Sequence, residues 1–193
     1  TAAPLAIAEG DASIRLVSDG SFALPDVPAP AARPADAPAM PPLTLLPILP
    51  NGRIDGRNRP LTAIAEIAAR DTASMRDYAG RARPWIGYAA FDGDTCVGTC
   101  AFKHPPRDGE VEIAYFAFPD AEGRGVATSM ARELVAIARQ AEPALAITAR
   151  TLPAPGASTR ILEKLRFQRT GTIDDPEDGP VWEWRLAPAT AGK

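Results

Sequence analysis

The run from Val111 to Gln140 constrains this chain more than any other part of it. An apolar, β-rich segment, Val111-Glu-Ile-Ala-Tyr-Phe-Ala-Phe118, leads into Pro119-Asp-Ala-Glu-Gly-Arg-Gly-Val-Ala-Thr128. From Val126 to Gln140 the apolar positions Val126, Met130, Leu134 and Ile137 fall at helical spacing. A strand, a glycine turn and a helix start, in that order, make a site for a pyrophosphate. The first turn of a helix leaves N–H groups without intrahelical acceptors, and the helix dipole stands behind them. Gly123 and Gly125 allow positive φ and close approach of a ligand to the backbone. The plain alternative is a strand-to-helix connection that binds nothing.

The spacing excludes two common phosphate motifs. A P-loop requires GxxxxGK[ST], and no lysine follows these glycines. A dinucleotide fingerprint requires GxGxxG, and Thr128 stands where the third glycine belongs.

Asp-Gly pairs punctuate the surrounding sequence. Asp92-Gly93 separates the strand patterns 85–91 and 95–103, Asp108-Gly109 separates the latter from 111–118, and Asp178-Gly179 separates 167–173 from 181–186. Leu43 to Ile48 reads as a first strand, at a sheet edge because of Pro47. From Pro60, taken as the first helical residue, Leu61, Ile64, Ile67 and Ala68 share one helical face, and a second short helical run is expected over about 72–79. Leu145 to Ala149 reads as a buried strand, followed by a helix over 158–165. The expected order is a strand, two helices, three strands, a helix, a strand, a helix and two strands, a mixed α/β sheet.

Residues 24–42 are dominated by alanine and proline and are expected to be extended and irregular. They separate a short piece containing Ser13-Ile-Arg-Leu-Val17, a candidate strand, from the body. The expected organisation is an N-terminal extension over 1–42, a single domain over 43–187 and a tail over 188–193. A formal net charge of −3 over 193 residues gives no basic excess for a nucleic-acid surface. No apolar run approaches the ~20 residues that span a membrane, and the N-terminus lacks a charged-then-apolar leader pattern, so the expected location is cytoplasmic. Cys96, Cys100 and His104 recur at intervals of four. On a strand, four residues cover roughly 13 Å, too far for one metal or a disulfide. Buried, reduced thiols are expected, and no metal site.

Three segments together resemble the GNAT (GCN5-related) N-acetyltransferase superfamily, in particular its RimJ/RimL-like branch, over residues 84–186. Glu122-Gly123-Arg124-Gly125-Val126-Ala127 matches the acyl-CoA loop pattern Arg/Gln-x-x-Gly-x-Gly/Ala, with Glu122 in the place of the usual arginine or glutamine. Phe102-Lys-His-Pro-Pro106 with Val111 to Tyr115 resembles the third and fourth strands of that branch, and Ala157 to Phe167 resembles its AS-x-R-x-LEKLGF helix. The resemblance implies a GNAT fold, a mixed sheet of about seven strands flanked by about four helices. It implies acetyl-CoA as cosubstrate and direct transfer of the acetyl group to an amine acceptor in a ternary complex. The acceptor is a primary amine, on a small molecule or a protein α-amino group. A homodimer paired through sheet edges is an assembly the resemblance leaves open.

Carried over residue by residue, the resemblance implies donor contacts from the backbone of Phe116, Ala117 and Phe118. A backbone N–H near Phe116 would polarise the thioester carbonyl. Gly123, Arg124, Gly125, Val126, Ala127 and Thr128 would hold the pyrophosphate. Glu112 lies on the same strand face as Ala114, Phe116 and Phe118 and is the candidate general base; an apolar setting would raise its pKa. The alternative for Glu112 is a solvated or ion-paired position. Ser158 is a candidate cofactor contact, or else a helix N-cap. Leu162 stands where many relatives carry an acidic tyrosine, and Pro155 where the branch commonly has a CoA-contacting asparagine. Arg166 replaces a glycine and is expected to be strained at positive φ. The acidic group Asp174, Asp175, Glu177 and Asp178 would attract a cationic amine, or is simply a solvated loop; Trp85, Trp182 and Trp184 read as sheet packing. A non-catalytic acyl-CoA-binding module is the rival reading from another class.

Overall fold

Two-residue turns set the first half of the sheet. The computed structural model describes residues 43–75, 78–176 and 178–189. The extension over 1–42, with its candidate strand and linker, lies outside these residues, as do Glu177 and positions 190–193. Strands β1 (Thr44–Pro47), β2 (Gly87–Asp92), β3 (Thr95–Phe102) and β4 (Glu110–Ala117) run antiparallel in sequence. Gly93 and Asp94 join β2 to β3, where Asp92 faces Thr95. Asp108 and Gly109, at φ 50° and 77°, turn the chain between the bridged residues Arg107 and Glu110. Two positive φ values in succession are what a type I′ hairpin turn demands.

Strands β5 (Ala146–Thr151), β6 (Gln168–Asp175) and β7 (Gly179–Leu186) complete a seven-stranded sheet in the order β1-β2-β3-β4-β5-β7-β6. Its one parallel pair, β4 with β5, is bridged by α2 (Val126–Ala141), as a parallel connection requires. Helices α1 (Ala63–Ala73) and α3 (Ala157–Lys164) complete the fold. The expected strand order and the edge position of β1 agree with this arrangement.

Helices depart from expectation in two places. Helix α1 begins three residues after Pro60, because the Thr62 hydroxyl accepts from the Ala65 N–H and so caps the helix itself. Of the expected second helix over 72–79, positions 76–77 lie outside the described residues, and the rest holds the end of α1 and a 3₁₀ turn at Tyr78–Gly80; the described residues form three α-helices.

The two faces of β4 bury different partners. Val111, Ile113, Tyr115 and Ala117 join Val126, Met130, Leu134 and Ala138 of α2 and Leu162 of α3 in the largest apolar cluster. Burying Met130 and Leu134 completely stabilises the fold by roughly 1.5–3 kcal/mol each. On the opposite face Phe116 and Phe118 pack under Ala65 and Ala68 of α1, while Ala69 meets Ile48, Ile54 and Phe91. Alanines, with Ile64 and Ile67 only half-buried, form the contact line of α1, so its backbone lies close to the sheet.

Candidate active site

The sheet forks at Glu112. Strand β4 pairs with β5 only through Glu110↔Ala146, Val111↔Ile147 and Glu112↔Thr148. Beyond that point β4 follows β3 as far as Ala117, and β5 follows β7 as far as Thr151. The walls of the resulting slot are residues 113–117 and 149–151. An extended ligand can lie between them as an added strand.

Strand parity decides which backbone groups face the slot. The Lys103 N–H donates to Glu112 O and the Phe118 N–H donates to Val97 O, both at 2.9 Å. With Phe116 opposite Thr99, the even positions of β4 direct their backbone groups to β3. On the other side the Ala146 N–H donates to Gly109 O at 2.9 Å, so the odd positions face β5. The expected main-chain contacts therefore move by one residue. Ile113, Tyr115 and Ala117 face the slot, whereas Phe116 and Phe118 turn their backbone to β3 and their rings, 5.6 Å apart, to α1. Of the expected set, Ala117 alone turns its backbone to the slot.

At its open end the slot meets the glycine turn. After a 3₁₀ turn at Pro119–Ala121, Gly123 takes φ 68° and Gly125 takes φ 85° as the N-cap of α2. No side chain caps this helix, and its first internal bond runs from the Ser129 N–H to Gly125 O at 3.0 Å. The N–H groups of Val126, Ala127 and Thr128 thus stand at the helix end without intrahelical acceptors, as a pyrophosphate site needs. A Cβ at Gly123 would meet nothing within 4 Å, so the turn is open on that side. Arg124 donates to Asp92 at 2.8 Å, which fastens the turn to the β2–β3 hairpin, and Glu122 is exposed.

Glu112 is buried, but in charged rather than apolar company. Lys103 Nζ lies 3.4 Å from its Oε1 and Arg150 Nε 3.5 Å from its Oε2. Arg150 also holds Asp175 at 2.6 Å, so an ion chain runs from β4 through β5 to the β6–β7 hairpin. This corrects the expected apolar setting in favour of the ion-paired one. Oε1 nevertheless finds no hydrogen-bond donor among the described residues. Sequence reasoning missed Lys103 and Arg150; the signal was a lone arginine within an otherwise apolar and threonine-containing strand.

Ser158 does not cap α3. Gly156 is the N-cap, and its N–H donates to the Thr159 hydroxyl at 2.9 Å. Ser158, half-buried, lines a cavity of about 110 Å³ with Thr151, Leu152 and Gly156, beyond the end of β5. The Trp184 indole donates to the Thr151 hydroxyl at 3.0 Å and fixes that end of the strand.

A family model for an acetyltransferase (GNAT) domain matches residues 56–168, more than half of the chain. This chain belongs to the GNAT family. A ribosomal-protein-S5-alanine acetyltransferase from Vibrio fischeri superposes on the GNAT chain with a TM-score of 0.50 at 14% identity, covering 56% of this chain and 64% of that one. An acetyltransferase from Salmonella typhimurium that modifies the N-terminal serine of ribosomal protein L7/L12 gives 0.49 at 16% identity, covering 55% and 66%. An aminoglycoside acetyltransferase in complex with coenzyme A gives 0.46 at 23%, covering 53% and 65%. The chain spans about two thirds of the length of these structures. These likenesses concern the fold. No curated protein matches the chain.

Other positions in this GNAT chain have structural roles. Leu162 is fully buried in the main core, and Pro155 is exposed. Arg166 takes φ 69°, as expected, and forms the end of α3: its N–H donates to Glu163 O, and the Phe167 N–H donates to Leu162 O. That bond pair is the Schellman motif, in which this position favours glycine. Asp175 turns inward to Arg150, whereas Asp174 is exposed. Trp85 and Trp184 are buried, and Trp182 lies 4.4 Å beneath the Arg169 guanidinium.

The register slips by one at Val97, which places Cys96 and Cys100 against different clusters. Burial pushes the Cys96 thiol up to about 11 and the Cys100 thiol higher still. Among the described residues no group of three or more His, Cys, Asp or Glu could hold a metal, and no helix is long and apolar enough to cross a membrane.

Proposed function

We propose that the chain is an acetyl-CoA-dependent N-acetyltransferase acting on a primary amine by direct transfer. The observation that carries this reading is the fork between β4 and β5, which leads directly to the uncapped N-terminus of α2. A long donor with a pyrophosphate at one end and an extended arm at the other fits both features. Acetyl-CoA would supply the activated thioester.

Each residue then has a defined task. Val126, Ala127 and Thr128 hold the pyrophosphate through backbone N–H groups, with Gly123, Arg124 and Gly125 shaping the turn. Ile113, Tyr115 and Ala117 align the extended arm in the slot. A backbone N–H aimed at the carbonyl oxygen stabilises charge as it develops there, an effect of about 3 kcal/mol per donor. Glu112 takes the proton released as the amine nitrogen bonds to the carbonyl carbon and the carbon–sulfur bond breaks. The departing thiolate takes its proton from solvent, because Leu162 offers none. Ser158 borders the donor's exit from the slot.

The acceptor is a small-molecule amine or a protein α-amino group, the latter in keeping with the RimJ/RimL-like motif. We place the reaction in the cytoplasm. The second reading, an acyl-CoA-binding module without turnover, draws on the double ion pairing of Glu112, which leaves a base partly engaged. Calorimetric titration with acetyl-CoA, followed by thiol release across an amine panel, tests both. Micromolar binding with amine-dependent thiol release supports the enzyme. Binding without release from any amine supports the module, and no binding removes both.

A further inference from the structure

Outside the fork, a separate cavity of about 370 Å³ opens between the chain after β1 and the outer face of α1. Arg53, Arg57, Arg59 and Arg70 line it, and Glu66 is its one acidic lining residue. It shares no residue with the slot or the glycine turn. Such a concentration of guanidinium groups runs against the net charge of −3 of the whole chain.

The arrangement is partly prebuilt. Arg57 lies 4.2 Å above the Phe91 ring, and its Nη2 donates to Asp94 O at 2.5 Å. Only 14% of its side chain is exposed. Its Nε is buried and finds no acceptor among the described residues. Asp94 also pairs with Arg59, and Glu66 pairs with Arg70 at 3.5 Å. Arg57 and Arg59 thus share Asp94, Arg70 lies beside Glu66 and Asp71, and Arg53 adds a fourth guanidinium to a cavity of small-ligand size whose lining holds four arginines and one carboxylate. The planar guanidinium fork matches pairs of oxygens on carboxylates and phosphates, to which it donates paired hydrogen bonds.

We propose that this cavity is a second binding site, for a small multiply charged oxyanion, either a phosphorylated metabolite or a polycarboxylate. The site is independent of acetyl transfer. Its ligand meets the Arg57 guanidinium in the wall and the exposed ends of Arg53 and Arg59 at the mouth.

The probes are inorganic phosphate and citrate, titrated calorimetrically into the full chain with and without saturating acetyl-CoA. Saturable binding of either at millimolar concentration, retained when acetyl-CoA is present, is expected. Preference for phosphate would assign a phosphorylated ligand, and preference for citrate a polycarboxylate. R53A/R59A alters exposed side chains and should leave the melting temperature unchanged while weakening the anion by about tenfold per lost contact. E66Q should tighten it. Absence of saturable binding by both probes overturns the proposal. So does binding that R53A/R59A leaves intact, or binding that acetyl-CoA displaces, which would place the anion at the glycine turn.

Discussion

Arg150 reaches Glu112 across the last paired position of β4 and β5, Nε to Oε2 at 3.5 Å, immediately before the two strands part. The proposed base is therefore fixed at the point of the fork. Its second cation, Lys103, comes from the chain following β3 and leaves Oε1 without a hydrogen bond.

Replacing Glu112 by Gln keeps the shape and removes the proton acceptor. Turnover with a saturating amine should fall by roughly 10²–10⁴, the usual contribution of a positioned base. Acetyl-CoA affinity should be unchanged, because the pyrophosphate turn and slot backbone are untouched. Equal turnover of Glu112→Gln and wild type would remove Glu112 from the reaction.

Gly125→Ala tests the donor site. At φ 85° an alanine is strained, and relief of that strain rotates the first N–H groups of α2 away from the ligand. Losing one charge-assisted bond corresponds to about tenfold or more in affinity. Calorimetry should show weaker acetyl-CoA binding by at least that factor, and an unaltered dissociation constant would show that the turn does not hold the donor.

Arg166→Gly should stabilise the protein. The exposed arginine holds a left-handed conformation that costs about 1–2 kcal/mol for a residue with a Cβ, while glycine loses roughly 0.5–1 kcal/mol of chain entropy. The net gain is about 0–1.5 kcal/mol, centred on ~0.75 kcal/mol. Urea unfolding should show a higher midpoint with an unchanged slope, and a lower midpoint would mean that the side chain supports the turn.

Both thiols should resist alkylation at pH 8 in the folded protein and react once it is unfolded. Their folded pKa values lie above the ordinary 9.0, so the folded state holds these protons more tightly than the unfolded chain does. That contribution is complete below pH 9.0 and declines as pH rises through the folded value near 11 for Cys96. Cys96→Ala with Cys100→Ala should flatten the fall in stability above pH 9.0. Burial raises Tyr78 and Tyr88 in the same direction, so a part of the slope remains.

Strand order was legible because Asp-Gly pairs mark the turns, and because the alternation between them is strong. Helix α1 was harder to place. Pro60 offered one start signal and Thr62 another, and only the hydroxyl bond to Ala65 chooses between them. The site divided in the same way. Gly123 and Gly125 announce themselves, since few residues take positive φ, and Arg166 was identified by the same logic. The slot-facing backbone of Ile113 and Tyr115 was not legible, because side-chain alternation does not say which neighbouring strand receives which hydrogen bond. Lys103 and Arg150 lie far apart in sequence, and their meeting at Glu112 follows only from the register of three strands.

Among the described residues, only three strand-paired positions join the half-sheet β1–β4 to the half-sheet β5–β7–β6. Mechanically, that seam is a short weld. Beyond it the two strands diverge and leave the slot between residues 113–117 and 149–151. An extended donor arm lying there lengthens the weld, so occupancy should stiffen the molecule as a whole. Amide exchange along 149–151 should slow when acetyl-CoA binds, even though the substrate touches only one edge of each half.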